Sequence, residues 1–241
     1  MKLIIANWKM NPATEAEAIA LAKSSDIEGL VIAPPLKFLE VVKNNIKNAE
    51  LGVQDLFSED LKSYAGVKYA IIGHSDRRAL GETNEIVAEK LKTALDFGLT
   101  PVLCVGESAS ERAADQTESV ISHQLSVGLS LLNAERYTLH PKGDQPLVEN
   151  ASLVVAYEPL WAIGSKNPST PQDTKKMLQY IHEIFVACRL SLDCITIYGG
   201  SVDASNAQDF LQEKEVDGVL VGGASLKSDQ IIKIVEISKI I

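Results

Sequence analysis

The chain has 241 residues, of which 46% are hydrophobic and 23% are charged, and its formal net charge is −9. A surface this acidic disfavours nucleic acid and anionic membranes as partners. The sequence contains no run of about 20 apolar residues of the kind that forms a membrane helix. Its first nine residues turn polar too early for a signal peptide. We therefore expect a cytoplasmic protein that binds neither nucleic acid nor membranes.

The cysteines give no indication of a disulfide framework or of a metal site. There are three of them, Cys104, Cys188 and Cys194, so any pairing scheme leaves one thiol over. Cys188 and Cys194 do not form a familiar zinc spacing with His182. We expect reduced thiols and no bound metal.

Short aliphatic runs alternate with amphipathic segments along the chain. Only 5% of the residues are aromatic, and the apolar content is mainly Ile, Leu, Val and Ala, as is typical of parallel strands buried on both faces. We predict strands over residues 2–7, 30–33, 50–54, 68–72, 101–105, 152–157, 194–198 and 217–221. We predict helices over residues 13–23, 83–97, 111–132, 171–189 and 228–239.

This order of elements predicts right-handed crossovers and an all-parallel sheet. Eight strands favour a closed (β/α)8 barrel, formed as a single domain by residues 1–241, over an open doubly wound sheet. The count alone leaves both forms open.

Two connections depart from the alternation. Only about a dozen residues, from Leu56 to Val67, separate strands three and four, which is near the minimum of about 10–12 for a crossover. Within this connection, Ser58–Tyr64 is predicted to form two helical turns. The polar segment 133–151, with a turn at Gly143–Asp144, is interpreted as an added loop or small hairpin on the face away from the carboxyl ends of the strands. Disorder and a role in contacts explain this segment equally well.

Catalytic side chains of parallel α/β barrels lie at the carboxyl ends of the strands and in the loops that follow. Those positions hold Asn7 and Lys9 after strand one, His74 after strand four, Glu158 after strand six, Gly199-Gly200-Ser201 after strand seven and Gly222-Gly223 after strand eight. A cation, an imidazole, a carboxylate and two glycine-rich turns are therefore predicted to meet at one mouth of the barrel. No metal-ligand cluster or dinucleotide-binding fingerprint is found among them.

Five motifs, in order along the chain, resemble the signature motifs of the triosephosphate isomerase family. They are NWKMN at 7–11, GHSDRR at 73–78, AYEPLWAIG at 156–164, YGGSV at 198–202 and VGGASL at 221–226. Each motif alone is weak, but five of them at barrel-loop spacing are highly specific. The resemblance implies a TIM barrel that interconverts dihydroxyacetone phosphate and D-glyceraldehyde 3-phosphate, a step of glycolysis and gluconeogenesis, without a cofactor or a metal.

The chemistry of the residues agrees with the roles that the resemblance implies. Removing a proton beside a ketone needs a base, and Glu158 at a strand end is our candidate, with a surface ion pair as the alternative role. The family pairs its glutamate with a neutral histidine electrophile, which would assign that role to His74. Lys9 and Asn7 would stabilise the charge of the enediolate, with a solvated lysine and strand-end packing as the alternatives.

A phosphate anchor is expected on the opposite wall. The candidates are the backbone N–H groups of Gly164, Ser201, Gly222 and Gly223, with plain turn geometry as the alternative. The segment Pro159–Pro171 resembles the family's mobile lid, whose closure would exclude water from the enediolate. Residues at family positions that support the site are Cys104, Glu82 and Arg78.

Three departures from the family pattern matter. Asp76 stands where the family usually has Glu, so the carboxylate expected near Lys9 is one methylene shorter. Lys166 replaces a glycine of the lid and Pro168 fixes a backbone angle, which predicts a stiffer lid. After strand three, the chain lacks a long loop that in the family inserts into a neighbouring subunit. We therefore predict a monomer or a homo-oligomer of a non-standard kind, with residues 133–151 as the candidate contact.

Two other functions are compatible with parts of this pattern. Glycine turns after strands seven and eight also occur in other phosphate-binding barrel enzymes, but these would need a different base or a Schiff-base lysine, and none stands out. A degenerate barrel kept as a binding or assembly module would have no need for Lys9, His74 and Glu158 together. An isomerase assay with glyceraldehyde 3-phosphate separates the three functions.

Overall fold

The computed structural model describes residues 1–56, 64–132, 152–165, 168–190 and 192–241. Its eight parallel strands are β1 (Leu3–Asn7), β2 (Leu30–Ala33), β3 (Glu50–Val53), β4 (Val67–Ile72), β5 (Thr100–Val105), β6 (Ser152–Tyr157), β7 (Asp193–Tyr198) and β8 (Gly218–Val221). Each strand pairs with its neighbour in sequence, and β8 pairs with β1, so the sheet closes into a barrel. The predicted (β/α)8 barrel is confirmed, and each strand lies within one residue of its predicted bounds.

The helices are α1 (Glu15–Ser24), α2 (Leu39–Lys43), α3 (Ser75–Arg78), α4 (Asn84–Asp96), α5 (Ala109–Ala113), α6 (Thr117–Gly128), α7 (Pro171–Ala187), α8 (Ala207–Leu211) and α9 (Ser228–Ile240), with 3-10 turns at Leu36–Phe38 and Gly223–Leu226. The prediction of one helix over 111–132 was wrong, because the chain forms α5 and α6 instead. Asp115, between them, has a φ of 54°, a left-handed conformation that a right-handed helix does not contain. The other four predicted helices are confirmed.

Local sequence signals explain where the longer helices begin. Thr14 caps α1 and forms a capping box with Glu17, in which each side chain accepts a hydrogen bond from the backbone N–H of the other residue. Thr170 caps α7, and Pro171 occupies the first helical position, where the missing N–H is not needed. These caps fix the points at which the chain leaves the loops at the mouth of the barrel.

The barrel separates the core into two apolar layers. The inner layer fills the barrel with side chains from alternate strand positions, namely Ile5, Val31, Ala33, Ile71, Val102, Cys104, Val154, Ala156, Ile197 and Leu220. The outer layer lies between the strands and the helices and includes Trp8, Leu91, Leu125 and Phe185. Because both faces of the strands are buried, the strands read as continuous aliphatic runs in the sequence.

Two sequence predictions fall outside the described residues. One is the segment 133–151, and the other is the pair of helical turns over Ser58–Tyr64, of which only Tyr64 is described, as a buried side chain. Within the described part of the chain, no helix combines the length and the hydropathy needed to cross a membrane.

Candidate active site

The eight residues predicted for the site line one cavity at the carboxyl ends of the strands. The cavity has a volume of about 690 Å³. Its lining includes Asn7, Lys9, His74, Glu158, Gly164, Ser201, Gly222 and Gly223. The parallel barrel brings these residues together because all eight strands end at the same mouth. A polar cavity of this size accommodates a small phosphorylated molecule.

The side chains of Glu158 and His74 contact each other in the cavity. Glu158 Oε1 lies 3.2 Å from His74 Nε2, and the two side chains are only 4% and 6% exposed. The backbone N–H of Glu158 donates to the carbonyl of Val105 over 2.7 Å, which fixes the backbone just beyond β6. Its second carboxylate oxygen accepts a long hydrogen bond, 3.4 Å, from the Ser75 N–H, and the Cys104 thiol is a further hydrogen-bond partner of this carboxylate. This buried carboxylate therefore has only weak or long-range partners where it lines the cavity.

The short helix α3 determines which nitrogen of His74 carries the proton. His74 caps this helix, and its Nδ1 accepts a hydrogen bond from the Asp76 N–H over 3.1 Å. A ring nitrogen that accepts a hydrogen bond carries no proton, so a neutral ring has its proton on Nε2. Nε2 is the nitrogen that faces Glu158. The imidazole thus presents a hydrogen-bond donor to the cavity.

Asn7 and Lys9 form a turn directly after β1. The Lys9 N–H donates to the side-chain oxygen of Asn7 over 3.0 Å, and Lys9 has a φ of 52°, which is uncommon for a residue with a side chain. The Asn7 hydrogen bond offsets part of this backbone strain and directs the lysine into the cavity. Lys9 Nζ lies 3.4 Å from Asp76 Oδ2, so the ammonium group is paired at the edge of the site.

The opposite wall consists of the turn after β8. A Cβ atom added to Gly222 would lie 3.6 Å from Lys9 Cε, so the lysine stem passes directly over this wall. A Cβ atom added to Gly223 would meet nothing within 4 Å, so the backbone here is open to the cavity. Ser225 fixes the turn, because its N–H and its hydroxyl both donate to the Gly222 carbonyl, at 2.8 and 2.7 Å.

Ser201 contacts the lid with its side chain. Its hydroxyl lies 2.7 Å from the Ala162 carbonyl and 2.9 Å from the Ser165 carbonyl. A hydroxyl has only one proton to donate, so these two carbonyls already occupy it. The Ser201 hydroxyl is therefore not available to donate a hydrogen bond to a molecule in the cavity.

The described parts of the lid are held at both ends. At the first end, Trp161 Nε1–H donates to the fully buried carboxylate of Glu107 over 2.8 Å, and the Tyr157 hydroxyl contacts the same carboxylate at 3.1 Å. At the other end, the Ser169 N–H donates to the Tyr198 hydroxyl over 2.9 Å. Lys166 lies outside the described residues, so the predicted stiffening of the lid stays a prediction.

Burial shifts two groups beside the cavity. Burial raises the pKa of the Cys104 thiol well above its usual range, and the neighbouring Glu158 carboxylate raises it further, so this cysteine is a neutral packing group. Burial also raises the pKa of Tyr198 to about 12, although the Ser169 N–H lowers it in part. In the described ranges, no group of three His, Cys, Asp or Glu side chains is placed to hold a metal ion.

Comparison with known proteins identifies the family. The model of the family described as triosephosphate isomerase matches residues 2–238. The chain is 36% identical to the triosephosphate isomerase of Delftia acidovorans over 255 residues, with 97% of each chain covered. It is 37% identical to that of Carboxydothermus hydrogenoformans over 257 residues, again with 97% of each chain covered. The chain belongs to the triosephosphate isomerase family.

The structure gives the contacts of two residues, Asp76 and Arg78, that were expected to lie near the site. Asp76, shorter than the usual glutamate, still reaches Lys9 at 3.4 Å. Arg78, expected to support the site, donates to the carbonyls of Gly73 and Cys104 at 2.7 and 3.2 Å and so fixes the loop that carries His74.

The sequence analysis missed Glu107 and left Asp55 without a role. Glu107 is the second residue after β5, so the strand-end rule that found His74 would also have found it. Asp55 is likewise the second residue after β3, and its side chain is 1% exposed. Both were passed over because their partners are other protein groups, and sequence spacing does not reveal such partners.

Proposed function

We propose that residues 1–241 act as one catalytic domain that interconverts dihydroxyacetone phosphate and D-glyceraldehyde 3-phosphate through an enediolate. Glu158 is the base, His74 the electrophile, and Lys9 and Asn7 stabilise the developing charge. The observation that carries this proposal is the 3.2 Å approach of the Glu158 carboxylate to His74 Nε2 inside a buried cavity. No cofactor or metal takes part in any of these steps.

The proton moves in two steps. Glu158 removes a proton from C1 of dihydroxyacetone phosphate, and the electrons move onto the C2 carbonyl oxygen. His74 Nε2–H donates to that oxygen, while the ammonium group of Lys9 and the side-chain amide of Asn7 stabilise its negative charge. Glu158 then returns the proton to C2, while His74 gives its Nε2 proton to the C2 oxygen and takes up the proton of the C1 hydroxyl, which leaves the C1 aldehyde and the C2 hydroxyl. One carboxylate acts as base and then as acid because C1 and C2 are adjacent.

The phosphate binds to the opposite wall. The backbone N–H groups of Gly164, Ser201, Gly222 and Gly223 surround it, and the occupied hydroxyl of Ser201 is consistent with a role for its main chain. Binding of this non-reacting end orients C1 and C2 against Glu158. Closure of the lid over Pro159–Pro171 then excludes water and keeps the enediolate from losing phosphate.

The test is Glu158→Gln, assayed with glyceraldehyde 3-phosphate in a coupled assay. The amide fills the same space but accepts no proton, so we expect kcat to fall at least about 100-fold with little change in melting temperature. Glu89→Gln, an exposed position on α4, is the matched control and should keep the wild-type rate. An unaltered rate for Glu158→Gln would remove this residue from the mechanism. A wild-type protein without isomerase activity would favour the binding-module function.

We also propose a monomer or a non-standard homo-oligomer in the cytoplasm. The short connection between Val53 and Val67 supports this proposal. A groove of about 500 Å³ beside Lys9 is lined by Met10 and Leu80, which are 80% and 76% exposed in the single chain. Light scattering across micromolar concentrations measures the mass, and a stable dimer paired through the strand-three connections would refute the proposal.

A further inference from the structure

A buried ionic network lies directly behind the wall of the cavity that carries His74. Asp55, which follows β3, has a side chain that is only 1% exposed. Its Oδ2 lies 2.8 Å from Arg77 Nε, and its Oδ1 lies 2.6 Å from Lys90 Nζ. The same Oδ1 accepts the Leu56 N–H over 2.8 Å. Both carboxylate oxygens of Asp55 are therefore engaged, one by a cation of α3 and the other by a cation of α4.

Helix α3, which Asp55 contacts through Arg77, makes three contacts to the proposed machinery. The Asp76 N–H sets the tautomer of His74 by donating to Nδ1. The Asp76 carboxylate pairs with Lys9 Nζ. The Ser75 N–H approaches Glu158 Oε2 at 3.4 Å. A shift of this single turn of helix would move all three of these contacts together.

One turn of helix has little stability of its own and depends on its tertiary contacts. The Arg77 N–H donates to the His74 carbonyl, so the backbone of Arg77 is part of the same turn. Its guanidinium group forms an ion pair with Asp55, which follows β3, the strand adjacent to β4. Asp55 and Arg77 do not line the cavity, so this contact holds α3 from outside it.

We propose that Asp55 is a positioning residue, which acts through Arg77 and α3 to hold His74 and Lys9 in their working geometry. It touches no substrate atom. This inference rests on the proposed isomerase function for its kinetic consequence, but the orientation of His74 can be measured without any turnover. Displacing catalytic groups by about 1 Å from a remote site lowers turnover by up to about 100-fold.

The network contains its own control. Glu82 was expected to support the site, but its described ion pair is with Lys90 alone; its side chain is also buried, 5% exposed against 1% for Asp55. It makes no ion pair with Arg77 among the described residues. Asp55→Asn and Glu82→Gln therefore remove the same charge from the same cluster, and only Asp55→Asn breaks the contact with α3.

The experiment compares these two variants in kcat and in the 15N spectrum of the histidine rings, with melting temperature as the measure of general damage. We expect Asp55→Asn to lower kcat by about 10- to 100-fold and Glu82→Gln to stay within about threefold of the wild-type protein. In the wild-type spectrum, Nδ1 of His74 should be unprotonated. In Asp55→Asn, the 15N chemical shifts of Nδ1 and Nε2 of His74 should move towards each other, because the tautomer with its proton on Nδ1 becomes populated.

Arg77→Met tests the same contact from the other partner and leaves Asp55 paired with Lys90, so it serves if Asp55→Asn does not fold. It should reproduce the loss in kcat and the change in the His74 signals, and the double variant should lose no more than the worse single variant. Equal losses in Asp55→Asn and Glu82→Gln, or unchanged His74 signals in both Asp55→Asn and Arg77→Met, would overturn the inference. An inactive wild-type protein in which the His74 signals still respond would instead refute the proposed function alone.

Discussion

Gly199, directly after β7, sets the position of the proposed base. A Cβ atom added here would lie 2.6 Å from Glu158 Cγ and 3.4 Å from its Oε1. Neither backbone is free to retreat, because the Gly199 N–H donates to the Tyr157 carbonyl over 2.8 Å and the Glu158 N–H donates to Val105 over 2.7 Å. In Gly199→Ala, the Glu158 side chain itself must therefore move.

The size of this movement follows from the contact distance. Two carbon atoms pack best at about 3.5–4.0 Å, so Glu158 Cγ has to shift by about 1 Å. A displacement of this size in a reacting group lowers kcat by about 100-fold. The extra methyl group also overpacks the site, at about 1–2 kcal/mol, which corresponds to a fall of about 2–8 °C in melting temperature for a domain of this size.

The coupled assay and a thermal melt test this prediction together. Gly128→Ala, at the end of α6, is the matched control, because its new Cβ atom would meet Leu91 and Leu103 at an ordinary 3.7 Å. This control should keep the wild-type kcat and should not lower the melting temperature. If Gly199→Ala retained more than about a third of the wild-type kcat, the reactive position of Glu158 would differ from the one described, and the argument from its geometry would fail.

Three further predictions address the lid, the half-buried thiol of Cys194 and the Lys9 pair. Tyr198→Phe removes the acceptor of the Ser169 N–H, so closure should weaken by about 1 kcal/mol, and the fraction of turnovers that release inorganic phosphate should rise. Burial raises the pKa of Cys194 to about 12. The neutral thiol therefore contributes fully to the free energy of unfolding below the unfolded thiol pKa of about 8.5, and this contribution is lost as the pH rises towards 12. Urea unfolding should show a free energy of unfolding about 2 kcal/mol lower at pH 10 than at pH 8, and Cys194→Ala should reduce this difference. Asp76→Asn breaks a pair that is 57% exposed on the aspartate side, so kcat/KM should change by less than about fivefold, and a larger change would mean that the pair acts as a buried one.

All eight strands could be predicted from the sequence, but the break between α5 and α6 could not. Burial leaves a pattern over a whole strand, whereas this break depends on the conformation of a single residue. A strand buried on both faces must be aliphatic throughout, and this leaves a direct trace in the sequence. The break between α5 and α6 depends on one residue, Asp115, in a conformation that aspartate tolerates but does not require. The alanines just before Asp115 favour helix, so helix propensity predicts one continuous helix where the chain forms two.

The same reasoning separates the residues of the site that were found from those that were missed. Lys9 and Glu158 lie at strand ends and face the cavity, so topology alone places them. The role of Glu107 depends on its contact with Trp161, 54 residues further along the chain, and the role of Asp55 depends on its contact with Arg77. Pairings of this kind are set by the packing of the closed barrel, and they carry no local pattern.

Glu158, the proposed base, lines the cavity, and two further buried carboxylates, Glu107 and Asp55, contact the lid and α3; the partners of the three differ. Glu107 contacts the Tyr157 hydroxyl, the Trp161 N–H and the Arg112 guanidinium group. Asp55 is occupied by two cations and a backbone N–H. A carboxylate held by several donors or cations is a poor proton acceptor, because protonation would weaken those contacts.

Glu158 differs from both of these carboxylates. It is also buried, at 4% exposure, but its partners are weaker: one imidazole at 3.2 Å, one N–H at 3.4 Å and the neutral thiol of Cys104. Accepting a proton from a substrate carbon therefore sacrifices little hydrogen bonding in the protein. Glu107 and Asp55 hold the lid and α3, whereas Glu158 lines the cavity, so the partners of these groups support the proposal of Glu158 as the base independently of the motif.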